Sequence, residues 1–336
     1  MRIIDPIVMS NTILNQSTGS DIPEPDTSTT PAEAVYVAGT TYHTGDQVIV
    51  IATHKVYESI SVADHSGNYP PTDVLAAVPK WLEVGATNRW KAFDAKIGSK
   101  AIQATSVMYQ FTIPLIDSIA LLGLVATSVH ITITGTGAMS HILSESGDFL
   151  TTESGDNLIT ESTSRYAYDE TFSLIDNTGV YDWYTYFFEE IIRKQDLVVF
   201  DLPEAYGGIL EITITNTGSN AEVGEIIIGN ATTLGITRIS PSIGIIDYSN
   251  KSTDDFGNIV IVERAFSKRF SCDIKIDNDD LDDIYNLFVQ YRSTPIVWVG
   301  SELYESMIVY GFYKDMQIVI PYTTYSDCSL TVEGLT

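Results

Sequence analysis

The stretch Ile209-Leu-Glu-Ile-Thr-Ile-Thr215 decides the fold. Leu210, Ile212 and Ile214 fall on one side of an extended chain and Glu211, Thr213 and Thr215 on the other, because successive strand side chains point to opposite faces. One apolar and one polar face describe a half-buried antiparallel strand. Similar strands are expected at 107–113, 128–134, 197–201 and 225–228, with Asn216-Thr-Gly218 and Thr134-Gly-Thr-Gly137 as turns. Together they predict a mainly β protein with an antiparallel β-sandwich or jelly roll over residues 95–240.

Downstream, strands at 259–265 and 270–276 lead into a segment in which Leu281, Ile284, Tyr285, Leu287, Phe288 and Tyr291 share one helical face. Asn278 is placed to cap this helix, the aspartates at 279, 280, 282 and 283 suit its positive end, and Arg292 suits its negative end. Strands resume at 296–299, 307–312, 316–320 and 329–333, so residues 241–336 read as a second β-sandwich with one flanking α-helix. Cys272 shares strand parity with Phe270, Ile274 and Ile276, and Cys328 with Leu330 and Val332; both are expected as free thiols in one apolar core.

Upstream, residues 35–94 read as a small β module. A hairpin over 47–52 and 56–60 turns through Thr53-His-Lys55, Gly45-Asp46 supplies a second turn, and the module closes around Lys80-Trp81. Residues 1–34 read as an extended arm and linker. The short apolar run Ile3-Ile-Asp-Pro-Ile-Val-Met9 precedes a stretch rich in Ser, Thr, Pro and Asp that cannot bury enough apolar surface to order itself. Such an arm is expected to reach another subunit.

A chain of 336 residues with 44% hydrophobic content can bury a large core. The longest apolar run, 113–125, is broken by Asp117 and Ser118 and falls short of the roughly 18 residues of a membrane span. The amino terminus lacks the long apolar segment of a secretory signal, so assembly in a cytoplasm is expected. Acidic side chains number 44 against 18 basic ones, a net charge of −26 that repels phosphate and argues against direct nucleic-acid recognition.

No enzymatic signature emerges. Gly-x-Ser-x-Gly, a phosphate loop and a dinucleotide fingerprint are all missing, and the five histidines (43, 54, 65, 130 and 141) form no zinc pattern. Glu189 and Glu190 are the least arbitrary glycosidase pair, but neighbours on a strand point apart and cannot flank one bond. A period-eight repeat, Glu145-Ser-Gly-Asp then Glu153-Ser-Gly-Asp, offers Asp148 and Asp156 as calcium ligands, although turn chemistry explains both. No cofactor is expected.

Aromatic residues of the small module stand as either core or stacking platform. The spacing Tyr42-x-x-Gly45-Asp46-x-Val48, then Tyr57, Pro70-Pro71 and Trp81, resembles the type-three chitin-binding modules. Extended through Asn88-Arg-Trp-Lys-Ala-Phe-Asp94 and preceded by residues 1–9, it is similar to a tailed-bacteriophage virion family labelled tail or carbohydrate-binding protein. The resemblance implies a non-enzymatic tail-tip or baseplate component, located in the virion tail, whose C-terminal domain is like ring-forming tail-tube domains. Other tail proteins, further copies of the chain and host-surface polysaccharide would be its partners. Glycan capture as the main task is the alternative. By the same resemblance Tyr42, Tyr57, Tyr69 and Trp81 are candidate glycan-binding residues. Trp81 and Tyr57 are equally needed for a core, which leaves Tyr69 in its loop as the most exposed candidate. Arg89, Trp90, Phe93 and Asp94 read as an interdomain latch, Arg89 and Asp94 bracing a turn while Trp90 packs on Phe93.

Overall fold

Alternation along Ile209–Val223 is realised in space: Leu210, Ile212 and Ile214 are fully buried while Glu211, Thr213 and Thr215 are half-exposed. The computed structural model describes residues 1–15, 22–24, 34–135, 167–176, 183–184, 192–203, 207–253, 257–302 and 304–336. Among the described residues the fold is mainly β, with several antiparallel sheets and one helix of ten residues, Leu281–Gln290.

A ten-stranded sheet forms the spine. Its order runs Leu197–Val199, Ser118–Leu122, Glu225–Thr233, Arg2–Pro6, Ile296–Val299, Ile308–Val319, Tyr325–Gly334, Phe266–Asp277 and then Ile236–Thr237, with Ser242–Asp247 also paired to Phe266–Asp277. A second sheet, in the order Ala101–Thr112, Ile209–Val223, Ser128–Thr134 and Tyr168–Ser173, packs on one face of the spine. Between them lies the largest core, where Tyr109, Phe111 and Ile131 from the small sheet meet Ile119, Leu121 and Ile228 from the spine.

Further along the spine the helix takes over the role of cover. Ile284 and Phe288 are its buried residues, and Phe288 stacks on Trp298 with ring centroids 5.9 Å apart. Asn278 does not cap the helix: its side chain binds Ser326 and the Tyr322 carbonyl, and a 3-10 turn, Asn278–Asp280, leads into the helix instead. Tyr285, expected on the apolar face, is 52% exposed. Cys272 and Cys328 are free and lie in this core.

The first residues differ most from expectation. Arg2–Pro6 is an interior strand, paired with Glu225–Thr233 on one side and Ile296–Val299 on the other. Ile3 and Ile4 are both fully buried, on opposite faces of the sheet. The approach is close enough that a Cβ on Gly229 would lie 1.8 Å from the Asp5 carbonyl oxygen. Thus residues 1–15 are not a free arm, and the same strand joins what the sequence divides at residue 240 into one continuous sheet.

The small module is a separate four-stranded sheet, Ala34–Val35, Gln47–Val50, Lys55–Ser59 and Trp81–Ala86, whose first two strands pair in parallel. The hairpin turns at 51–54, where His54 adopts a left-handed φ of 55°.

Candidate assembly surface and the module seam

Two strand pairs of the final domain carry exposed apolar residues. Ser242–Asp247 pairs with the start of Phe266–Asp277, and beyond it Asn250–Thr253 pairs with Ile259–Val262. The run Ile259-Val-Ile-Val262 is exposed at every position (72, 46, 62 and 48%), as are Ile243 at 51% and Ile245 at 69%. Consecutive strand residues face opposite ways, so Ile259–Val262 puts exposed apolar side chains on both faces of the ribbon, beside the polar Asn250–Thr253 of its partner strand. Continuous apolar strands belong to sheets covered on both sides. A two-stranded ribbon alone in water is marginal at best, and its free edges are templates for further strands. The run Ile259-Val-Ile-Val262 was legible as a strand; Ser242–Asp247 and Asn250–Thr253 were not, because serine, asparagine and glycine dilute their pattern.

The candidate glycan residues fare differently from one another. Trp81 is fully buried, donates its indole N–H to the Asn68 carbonyl at 3.0 Å, and meets Tyr42 edge-on at 5.0 Å. Tyr57 and Tyr42 are 2% and 6% exposed and join Trp81, Val48 and Val50 in the module core. Tyr69 alone of the four reaches the surface, 40% exposed, its ring 5.8 Å from Tyr36. The four do not make a flat platform, because a domain this small spends its aromatics on its core. Asp73 supplies the polar anchor, accepting the backbone N–H of Lys80 at 2.6 Å and of Trp81 at 3.1 Å. His65, hydrogen-bonded to Ser59 at 2.9 Å, is held below the ordinary imidazole range by burial and then by Lys80.

The run 88–94 lies between module and sandwich. Trp90 meets Phe93 edge-on at 5.8 Å, and Phe93 meets Tyr109 and Phe111 of the sandwich at 5.5 and 6.1 Å. Asn88 exchanges two hydrogen bonds with the Ile102 backbone, at 2.8 and 3.0 Å. Arg89 and Asp94 do not brace one turn together. Arg89 donates to the Ile22 carbonyl at 2.8 Å and faces Glu24 at 3.8 Å, while Asp94 accepts the Lys96 backbone N–H at 3.0 Å. Glu24, only 7% exposed, also accepts from Thr87 at 3.0 Å and meets His54 at 2.7 Å. His54 in turn stacks on Trp90 at 4.2 Å. Sequence reasoning missed Glu24 because its partners lie 30 to 65 residues away.

Among the described residues, no group of three His, Cys, Asp or Glu side chains is arranged to hold a metal ion. Asp148, Asp156, Glu189 and Glu190 lie outside the described residues. No helix among the described residues is long and apolar enough to cross a membrane. Comparison with protein-family models, with curated proteins and with solved structures returns no match to this chain.

Proposed function

We propose that this chain is a non-enzymatic structural component of a tailed-phage tail tip or baseplate that assembles with copies of itself and with other virion proteins. The observation that carries the assembly reading is the exposed apolar run Ile259–Val262 together with the exposed Ile243 and Ile245. Its occupant is a second copy of the chain. A net charge of −26 makes copies repel broadly, so contact favours a patch where uncharged side chains predominate and main-chain pairing supplies affinity. A hairpin that docks on a different surface of its neighbour makes a heterologous contact, which closes into a ring when the rotation allows. The phage assignment rests on the resemblance of residues 1–9 and 42–94. Burial of three of the four candidate glycan residues, Tyr42, Tyr57 and Trp81, favours assembly over glycan capture.

Light scattering coupled to size-exclusion chromatography tests the assembly reading on the intact chain. The wild type is expected to form oligomers at micromolar concentration, and a double variant Ile259→Lys and Ile261→Lys to remain monomeric with unchanged melting. A wild type that stays monomeric at high concentration, or a variant that assembles equally well, refutes it. Electron microscopy of purified virions with this chain labelled tests the location.

A further inference from the structure

A cavity of about 220 Å³ lies between residues 6–9, the run 90–95 and the start of Glu225–Thr233, with Tyr310 as a further wall. Two buried polar atoms on its lining residues have no partner among the described residues: Oε2 of Glu225 and the indole Nε1 of Trp90. Glu225 is only 4% exposed, and the backbone N–H groups of Ala95 and Lys96 reach its carboxyl group. Asp94 stands close enough to act on both Glu225 and Tyr310. The remaining walls are the rings of Trp90, Phe93 and Tyr310 with Ile227, and Val8 at the rim is 87% exposed.

Neither sheet pairing nor core packing requires a carboxylic acid at position 225. Burial, reinforced by Asp94, pushes its pKa up to about 9, so Glu225 carries a proton at neutral pH. Aromatic faces attract cations, and a carboxyl group that gains a cation beside it gives up its proton. The volume lies below the roughly 300–1,000 Å³ of drug-sized pockets and suits a group of a few heavy atoms.

We infer that this cavity binds an organic cation, an alkylammonium or guanidinium group, between the Glu225 carboxylate and the rings of Trp90, Phe93 and Tyr310. The source is either a free amine or a Lys or Arg side chain of a neighbouring protein. This site is independent of the hairpin and of the assembly reading.

Isothermal titration of the intact chain with ethanolamine, with methylguanidinium, and with short Lys- or Arg-containing peptides tests it. Binding is expected to be saturable. Measured in buffers of different ionisation enthalpy, it is expected to release close to one proton per cation near neutral pH, with affinity rising about tenfold per pH unit toward pH 9. Of the other groups facing the site, Asp94 and Tyr310 are both shifted upward by burial, and Lys91 and Lys96 lie beside Asp94. Glu225→Gln keeps an acceptor for Ala95 and Lys96 and is expected to lose at least tenfold in affinity with no proton release; Trp90→Phe is expected to lose less. Peptides that bind at least tenfold more tightly than the free amines assign the source to a neighbouring chain, and comparable affinities assign it to a free amine. Absence of saturable binding by any probe, or binding unchanged in Glu225→Gln, overturns the inference.

Discussion

Replacing Glu225 by Gln is expected to stabilise the protein, and to do so more strongly as pH rises. The carboxyl group titrates at about 9 when folded, against an ordinary value of 4.5 when the chain is unfolded. Between those values the folded state binds one more proton than the unfolded state, so stability falls with rising pH. The contribution is fully present below about pH 4.5 and is lost as pH rises toward 9. One proton corresponds to a slope of about 1.4 kcal/mol per pH unit. Gln carries no such proton and retains an oxygen for the Ala95 and Lys96 N–H groups. Asp94, also shifted upward by burial, pulls in the same direction in both proteins and largely cancels in the comparison. Urea unfolding of both proteins at about pH 5, 6, 7 and 8 reads the effect, the gap in stability widening by about 1.4 kcal/mol per step. A gap that stays constant over that range would refute the reasoning, because it would mean that Glu225 is ionised in the fold.

Trp81→Ala is expected to cost about 3–5 kcal/mol by urea unfolding, since it empties the centre of the module core and orphans the Asn68 carbonyl; a loss below about 1 kcal/mol contradicts the packing assignment. Ile4→Ala is expected to cost about 2–5 kcal/mol by calorimetry, because Ile4 is fully buried in the spine; a mild effect means that the first strand is dispensable. The thiols of Cys272 and Cys328 are pushed up to about 11 and about 12 by burial, so neither is expected to react with Ellman's reagent near pH 8 until the protein unfolds. Rapid native-state labelling contradicts this.

Side-chain periodicity alone was enough to place the chain in the mainly β class. Leu210, Ile212 and Ile214 on one side and Glu211, Thr213 and Thr215 on the other report the two faces of a strand wherever that strand pairs. The helix around Ile284 and Phe288, and the shared parity of Cys272 and Cys328, were legible for the same reason. The aromatics of the small module were legible as important but not as core or platform, because both uses call for the same residue types. Burial of Trp81, Tyr57 and Tyr42 made that choice.

What only the tertiary structure decided was the set of long-range partners. Ile3-Ile4 looks like a loose apolar tag because its pairing strands lie more than 220 residues away, yet it joins the two halves of the spine. Glu225 reads as one polar end of an apolar strand until the run 90–95 folds over it and brings Asp94 and Trp90 to the same cavity. The apolar run 259–262 implies cover on both faces, and only its exposure in the folded chain shows that no other part of the described chain provides it. Local pattern records which way a side chain points; what it meets there depends on chain closure over hundreds of residues, which no short window of sequence contains.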